Sequence, residues 1–156
     1  MRPVYSIAVL AALAAFAAPS MRAAAQAPTY KWGPAPAVFP AGVKMAVLQG
    51  DPGKAGLFTV RLDMPDGYRV APHFHPTDEN ITVIKGTLRV GMGDTMDPAH
   101  MMTLPVGAFA SAAANQHHSA TARGRTIVQV HAMGPFMLTY VNPADDPSRK
   151  VPATPR

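Results

Sequence analysis

The sequence predicts an all-β protein with one domain, and three observations support this. From Lys44 onward, short segments rich in Val, Ile, Leu, Phe and Thr alternate with Gly, Pro, Asp and Asn. After the N-terminal region, no stretch repeats its apolar residues with the period of a helix. The length of 156 residues and the apolar content of 48% suit one globular core. This pattern predicts a β-sandwich or a β-barrel.

The first residues have the composition of a secretory signal peptide. Arg2 precedes the apolar run 7–18, and small residues follow it as far as Ala27. Because a bilayer span needs about 20 apolar residues, this run is too short for a stable membrane anchor. Cleavage after Ala25 or after Ala27 fits the small-residue rule, and we favour Ala25. Residues 1–25 are therefore the predicted signal peptide, and the mature protein is expected to be periplasmic or secreted.

The composition excludes several kinds of partner and ligand. Removal of Arg2 and Arg22 with the signal peptide lowers the net charge from +5 to +3, and the remaining basic residues are scattered. We therefore expect no nucleic-acid partner. The chain has no cysteine, so it contains neither disulfides nor thiolate ligands. Side-chain metal ligands are limited to histidine, carboxylate and methionine.

Residues 26–40 are predicted to form an arm rather than a domain. Four prolines lie in this segment, and each removes a backbone donor that a strand or a helix would use. We expect the arm to run extended over the surface, with Trp32 and Phe39 as its anchors.

Residues 41–142 form the predicted domain, and residues 143–156 form a polar tail. Three turns are predicted where Pro and Gly cluster: Asp51-Pro52-Gly53, Pro65-Asp66-Gly67 and Lys85-Gly86. The predicted strands are Met45–Gln49, Leu57–Asp63, Tyr68–His73, Asn80–Ile84, Thr87–Gly91, Met101–Leu104, Ala108–Ala112, His118–Thr121, Thr126–His131 and Phe136–Val141.

A pair of histidines and the only glutamate of the chain lie close together in the sequence. Side chains alternate along a strand, so His73 and His75 are expected on one face. Pro76 interrupts that strand, and Glu79 is expected to begin the next strand, with Ile81 and Val83 on its face. An unpaired carboxylate in a barrel interior is costly, and a metal ion would remove that cost.

The segment from Gly67 to Gly86 resembles the first motif of the cupin superfamily, G-x5-H-x-H-x3-E-x6-G, at every fixed position. The resemblance implies a single jelly-roll barrel, also called a double-stranded β-helix. The second family motif is matched only in part: counting from Gly107 gives His118 as the third histidine ligand. The motif's proline, second glycine and final asparagine are replaced here by Ala113, Asn115 and Ala122. Asn115 can still adopt the positive φ of a glycine. His117 stays open as an alternative to His118.

The later run 126–136, followed by 140–143, is similar to uncharacterised cupins related to the sensor-type cupins of anti-sigma factors. The cupin resemblance implies a metal site made of His73, His75, Glu79 and His118. Such ligands suit a divalent Fe, Mn, Zn, Ni or Co ion, and around an octahedral ion they leave two positions open.

Other polar residues have simpler interpretations. His131 ends an apolar strand and is expected to be a hydrogen-bonded rim residue, whereas His100 is expected to be exposed in a loop. Arg69 is expected to be solvated at the rim, with contact to an anionic substrate as the alternative. A cluster of thioether and imidazole groups would suit Cu(I), although methionine is also an ordinary core residue. Its members are Met92, Met96, His100, Met101 and Met102.

Three functions are consistent with these features. The first is an exported metal-dependent cupin enzyme that acts on a small molecule as an oxygenase, an isomerase or a lyase. The second is a non-catalytic module that binds a ligand or a metal. The third is a copper-handling protein that uses the methionine cluster. No catalytic residue beyond the metal ligands is identified, and a homodimer is expected only by analogy with other cupins.

Overall fold

The computed structural model describes residues 29–149. The predicted signal peptide and the end of the predicted tail lie outside these residues. The described strands are β1 (Gly33–Pro34), β2 (Lys44–Gln49), β3 (Gly56–Met64), β4 (Arg69–Phe74), β5 (Glu79–Met92), β6 (Met102–Leu104), β7 (Phe109–Ala112), β8 (His118–Gly134) and β9 (Thr139–Tyr140). Three single-turn 3₁₀ helices cover Pro98–His100, Pro143–Asp145 and Pro147–Arg149. The prediction of an all-β fold is confirmed. Among residues 29–149, no helix is long and apolar enough to cross a membrane.

All strand pairs are antiparallel, and the sheet curls around one core. Its main path runs β1-β2-β3-β8-β4-β9, and β5 pairs with β6, β7 and β8. The 17-residue strand β8 therefore contacts β3, β4 and β5. Because β8 has partners along both of its edges, it connects the two halves of the curled sheet.

The two longest strands differ from the prediction. Asn80–Ile84 and Thr87–Gly91 are parts of the continuous strand β5, so the predicted reversal at Lys85-Gly86 is wrong. Gly86 instead has a φ of +74°, and the β5–β8 register shifts on both sides of Lys85. A Cβ at position 86 would lie 2.6 Å from the carbonyl oxygen of Arg125, so this bulge requires glycine.

Strand β8 likewise joins two predicted strands, His118–Thr121 and Thr126–His131. Gly124 lies between them with a φ of +68°, and Thr87 of β5 pairs with Arg123 beside it. The long strands therefore bend close to each other without ending. This shared bend lets β8 pair with β4 before it and with β3 after it.

The core is made by the inward faces of the strands. Phe58, Val83, Leu88 and Val130 are among its completely buried members. Burial of one such side chain contributes about 1.5–3 kcal/mol. Because side chains alternate between the two faces of a strand, one face of the sheet is turned inward to form this core.

The described part of the predicted arm lies against the domain and also adds to the sheet. Gly33 pairs with Met45 across β1 and β2, and Phe39 packs against the core. Two tyrosine hydroxyls bind the arm backbone: Tyr140 Oη donates to the Val38 carbonyl at 2.9 Å, and Tyr68 Oη donates to the Pro40 carbonyl at 2.7 Å.

Candidate metal centre

Three histidines converge inside the curled sheet. His73 lies near the end of β4 and pairs directly with His118, the first residue of β8. Their ring centroids are 4.3 Å apart. His75 follows β4 on the same face as His73, and its ring centroid lies 5.3 Å from that of His118. One ligand nitrogen from each ring can be chosen so that the three lie within 4.8 Å of one another, so this triad can hold a metal ion.

Glu79 begins β5, and Ile81 and Val83 are buried on the same face, as predicted. The turn between His75 and Glu79 is held by the loop before β8. Asn115 N–H donates to the His75 carbonyl at 2.7 Å, and Ala114 N–H donates to the Asp78 carboxylate at 2.8 Å. Asn115 has a φ of 63°, so the positive φ expected of it is confirmed.

The hydrogen bonds of the triad determine which ring nitrogen faces inward. His73 Nδ1 lies 2.8 Å from the Ala71 carbonyl, and His75 Nδ1 lies 2.8 Å from the Met137 carbonyl. His118 Nδ1 lies 2.9 Å from the Gln116 carbonyl. A carbonyl oxygen only accepts, so each Nδ1 carries the hydrogen and each neutral ring keeps a lone pair on Nε2. Metal-binding histidines are commonly oriented in this way.

The inward nitrogens lack ordinary partners. Both His75 Nε2 and His118 Nε2 are buried without a hydrogen bond. Glu79 Oε2 lies 3.2 Å from His118 Nε2 and 3.6 Å from His75 Nε2. Neither nitrogen has a hydrogen-bond partner, so buried polar atoms face each other unsatisfied. A cation among these four side chains would satisfy them all, and the donor set therefore fits a divalent transition metal.

Burial and charge set the protonation of these groups. Burial lowers the pKa of His73 to about 3, with help from the neighbouring His118 and His75. Burial also lowers the pKa of His75. Burial alone would raise the pKa of Glu79, but the surrounding imidazoles outweigh it and lower that pKa. For His118 the Glu79 carboxylate outweighs burial and raises the pKa. A carboxylate and lone-pair imidazoles are the forms that bind metal.

The triad and Glu79 line an internal cavity of about 40 Å³, which we call the metal cavity. Apart from these four residues its wall is apolar. The apolar wall residues are Phe39, Leu62, Met64, Val70, Ile81, Leu88, Val90, Ala120, Val128, Val130 and Leu138. Such a wall excludes water from the inward nitrogens.

The other histidines lie outside this cavity. His117 is half-buried outside the cavity, its Nδ1 lies 2.5 Å from the Asp94 carboxylate, and its ring stacks on Phe74. Of the two alternatives, the structure therefore brings His118 to the triad. His100 is exposed, as predicted, and lies 2.6 Å from Asp97. His131 is hydrogen-bonded to Thr59 Oγ1 at 2.9 Å, which agrees with the predicted hydrogen-bonded residue.

Two further sequence-based candidates lie away from the metal cavity. Arg69 is exposed at the start of β4 and lines no part of the cavity wall. The members of the methionine cluster differ in burial: Met101 is buried, whereas Met92 and Met102 are about half exposed. Met101 packs near Gly91, which accounts for it as a core residue. Copper binding by this cluster stays a prediction.

Sequence reasoning missed the contribution of the segment before β9. Strand structure was predicted for Phe136–Val141, but only Thr139–Tyr140 is a strand. The free Met137 carbonyl accepts from His75, and the Phe136 ring stacks on the His75 ring at 4.2 Å between centroids. Pro135 was the available signal, because a proline cannot donate a hydrogen bond to a strand ladder.

A family model for the ChrR cupin-like domain matches residues 20–137. The chain belongs to the ChrR cupin-like family. The match covers most of the chain and confirms the predicted cupin resemblance, including its anti-sigma-factor subgroup. No curated protein matches this cupin in sequence.

Solved structures agree with the jelly-roll prediction. A candidate acetylacetone dioxygenase from Methylibium petroleiphilum PM1 is 26% identical, with a TM-score of 0.59 over 76% of this chain and 79% of that one. The polyketide cyclase RemF from Streptomyces resistomycificus is 16% identical, with a TM-score of 0.62 over 76% and 84%. KdgF from a Halomonas species is 19% identical, with a TM-score of 0.52 over 67% and 86%. The last two likenesses show the fold alone.

Proposed function

We propose that this protein is an exported, metal-dependent cupin enzyme that acts on a small molecule, and that its reaction is an oxygenation. The observation that carries the proposal is the triad, whose lone pairs all face a buried cavity beside one carboxylate. The likeness to a candidate acetylacetone dioxygenase supports the reaction class. Export rests on the N-terminal sequence alone.

His73, His75, His118 and Glu79 are the proposed ligands of one divalent ion. A metal bound there supplies Lewis-acid polarisation of an oxygen ligand or, if it is redox-active, activation of dioxygen. The Ala71, Met137 and Gln116 carbonyls hold the imidazoles in the metal-binding tautomer. Glu79 contributes the only negative charge of the cavity wall.

The apolar wall contributes desolvation. Leu138 and Phe39 lie at the side of the metal cavity that faces the arm, and both are partly buried against the core. Water kept from the metal cannot compete with a bound substrate, and electrostatic interactions strengthen in a dry site. No general acid or base beyond the four ligands lines the cavity.

Oxygen uptake by metal-reconstituted protein tests the proposal. We expect iron-loaded protein to consume dioxygen with a panel of small dicarbonyl compounds, beginning with acetylacetone, and His73→Ala to abolish this uptake. His100→Ala is the matched control, because its imidazole is exposed outside the cavity. Metal-loaded protein that consumes no oxygen across the panel would contradict the oxygenase assignment.

A non-catalytic binding module is the second candidate, and the lack of a separate acid or base in the cavity wall favours it. In that case a small dicarbonyl compound binds the metal-loaded protein without turnover. The affinity of the metal-loaded protein for that compound would also stay unchanged in Glu79→Gln, because no transition-state charge depends on the carboxylate. An enzyme that uses Glu79 would lose its turnover in the same variant.

A further inference from the structure

A second cavity adjoins the metal cavity. Its volume is about 90 Å³, and we call it the side chamber. The two cavities share five wall residues: Phe39, Leu62, Glu79, Val130 and Leu138. The side chamber extends from this common wall towards the arm, where Pro36 and Val38 line it. It therefore lies beside the proposed metal and beneath the arm.

The side chamber is apolar except at one point. Glu79, on the wall shared with the metal cavity, is the only polar side chain that lines it. The remaining wall combines the arm with residues from β2, β3 and β8 and with Phe136 before β9. Apolar cavity walls of this kind accommodate apolar groups.

We propose that the side chamber holds the apolar body of the substrate while two oxygen atoms of the same molecule face the metal. The proposal rests on the proposed metal-dependent function and adds a substrate class to it. That class is a small molecule with an oxygen pair at one end and a compact, uncharged hydrocarbon group at the other. The shared wall at Glu79 is where the two ends of the molecule meet.

The volume limits the hydrocarbon group. An apolar protein cavity of about 150 Å³ accepts benzene, which has six carbon atoms. The side chamber is smaller, at about 90 Å³. By this comparison it accommodates roughly three to five carbon atoms. A phenyl ring or a long alkyl chain exceeds the space unless the arm moves.

The wall excludes a charged hydrocarbon end. No lysine, arginine or aspartate lines either cavity, and Arg69 is exposed elsewhere. A substrate with a second carboxylate or an ammonium group would bury that charge without a partner, which is costly. Of the polar groups of such a molecule, only the two oxygen atoms find a partner in the site, because they face the metal.

The arm side of the chamber is held in place by defined contacts. Tyr140 Oη and Tyr68 Oη bind the backbone carbonyls on either side of Phe39. Phe136 meets Phe58 edge-on, with centroids 5.2 Å apart, and both rings line the chamber. The wall is therefore fixed by the arm and by the same segment that orients His75.

Alkyl hydroxamates test the substrate class, because each presents two oxygen atoms to a metal and carries one variable group. Their affinities are measured by calorimetry on the zinc-loaded full-length protein. From acetohydroxamate to butyrohydroxamate we expect affinity to rise about fourfold per added CH₂. We expect octanohydroxamate, benzohydroxamate and the monohydroxamate of succinic acid to bind at least about tenfold more weakly than butyrohydroxamate. Flat affinity along the series would overturn the proposal.

A matched pair of substitutions locates the hydrocarbon group. Val60 lines only the side chamber, and Val90 lines only the metal cavity; both are buried strand residues. Val60→Leu should weaken butyrohydroxamate about tenfold and leave acetohydroxamate within twofold, because only the longer ligand reaches position 60. Val90→Leu should change the affinities for butyrohydroxamate and acetohydroxamate by the same factor. Equal discrimination by both variants would contradict the assignment.

Xenon binding separates this proposal from the proposed function. In crystals of the metal-free wild-type protein under xenon pressure, we expect a xenon atom in the side chamber, in contact with Phe136 and Leu138. Neither zinc nor xenon activates dioxygen, so a failure of the oxygenase assignment leaves both results unchanged. A chamber without xenon would overturn the apolar subsite even if oxygen uptake is found.

Discussion

Two neighbouring histidines face opposite environments. His118 is 2% exposed, and its Nδ1 lies 2.9 Å from the Gln116 carbonyl. His117 is only half-buried, and its Nδ1 lies 2.5 Å from the Asp94 carboxylate. The same contrast separates His73 and His75, which face backbone carbonyls, from His100, which faces Asp97. The protein thus has an inner triad and an outer pair of histidines.

The difference shows that the partner and the burial of a histidine decide its chemistry. A carbonyl fixes the hydrogen on Nδ1, and burial keeps water away from the opposite nitrogen. The inner rings therefore present lone pairs that a cation can satisfy. The outer rings instead face carboxylates, and solvent is available to them. Among the histidines, metal binding should therefore depend on the inner triad alone.

The largest expected effect is on metal affinity. Replacement of His73 by alanine removes a lone pair from the inner triad, and we expect at least about a 100-fold loss of zinc affinity, since even outer partners of ligands contribute 10–100-fold. His100→Ala should change the affinity by less than twofold. Competition with a chelator measures both variants. Similar losses in the two would show that the inner and outer histidines are equivalent.

Glu79→Gln tests whether the carboxylate belongs with the inner histidines. It removes the only negative charge from the cavity wall while keeping the shape of the side chain. We expect zinc affinity to fall roughly 10–100-fold, the range found for groups that support ligands. Asp94→Asn, which removes the carboxylate beside His117, is the matched control. An unchanged affinity in Glu79→Gln would leave the triad as the complete ligand set.

The inner and outer histidines should also differ in the pH dependence of stability. Folding lowers the pKa of His73 to about 3 from the ordinary 6.5, so between these values the unfolded chain binds the extra proton. Acidification of metal-free protein should therefore lower the free energy of unfolding by up to about 1.4 kcal/mol per pH unit for this residue. His75, whose pKa is also lowered, acts in the same direction.

Two other inner groups modify this slope. The raised pKa of His118 contributes stability that is present in acid and is lost as the pH rises through the folded value. The lowered pKa of Glu79 contributes stability above its ordinary value of 4.5 that is lost as the pH falls through the folded value. Denaturant titrations between pH 6 and 4 should give a smaller slope for His73→Asn than for His117→Ala. Equal slopes would contradict the role of the buried ring.

The smallest effect is expected at the outer pair. His117 and Asp94 form an exposed contact, and exposed ion pairs contribute about 0–1 kcal/mol. His117→Ala should therefore change the free energy of unfolding by less than about 1 kcal/mol, measured at pH 7 in the metal-free protein. A larger loss would mean that the stacking of His117 on Phe74 stabilises the fold.

The site was more predictable from the sequence than the strand boundaries were. The His73-x-His75 alternation and the inward start of β5 at Glu79 follow from the two-residue period of a strand, and the structure has both. The predicted turn at Lys85-Gly86 failed because a positive φ serves a bulge as well as a reversal. Local sequence does not distinguish these outcomes, since the long pairing of β5 with β8 decides between them.

Contacts between segments far apart in the sequence could not be predicted from local sequence patterns. The approach of the Met137 carbonyl to His75 spans 62 residues, and the Val38 carbonyl meets Tyr140 across 102 residues. Neither contact has a periodic signal, because each lies in irregular backbone outside a regular ladder. The side chamber depends on the same long-range contacts, so its lining could not be read from the sequence.

The metal content of two variants with adjacent substitutions shows whether the inner triad binds the metal. Full-length His117→Ala and His118→Ala proteins are purified in parallel, loaded with zinc, freed of excess metal and measured by elemental analysis. We expect about one zinc per chain in His117→Ala and almost none in His118→Ala, because only His118 joins the inner triad. Equal zinc retention by the two proteins would contradict it.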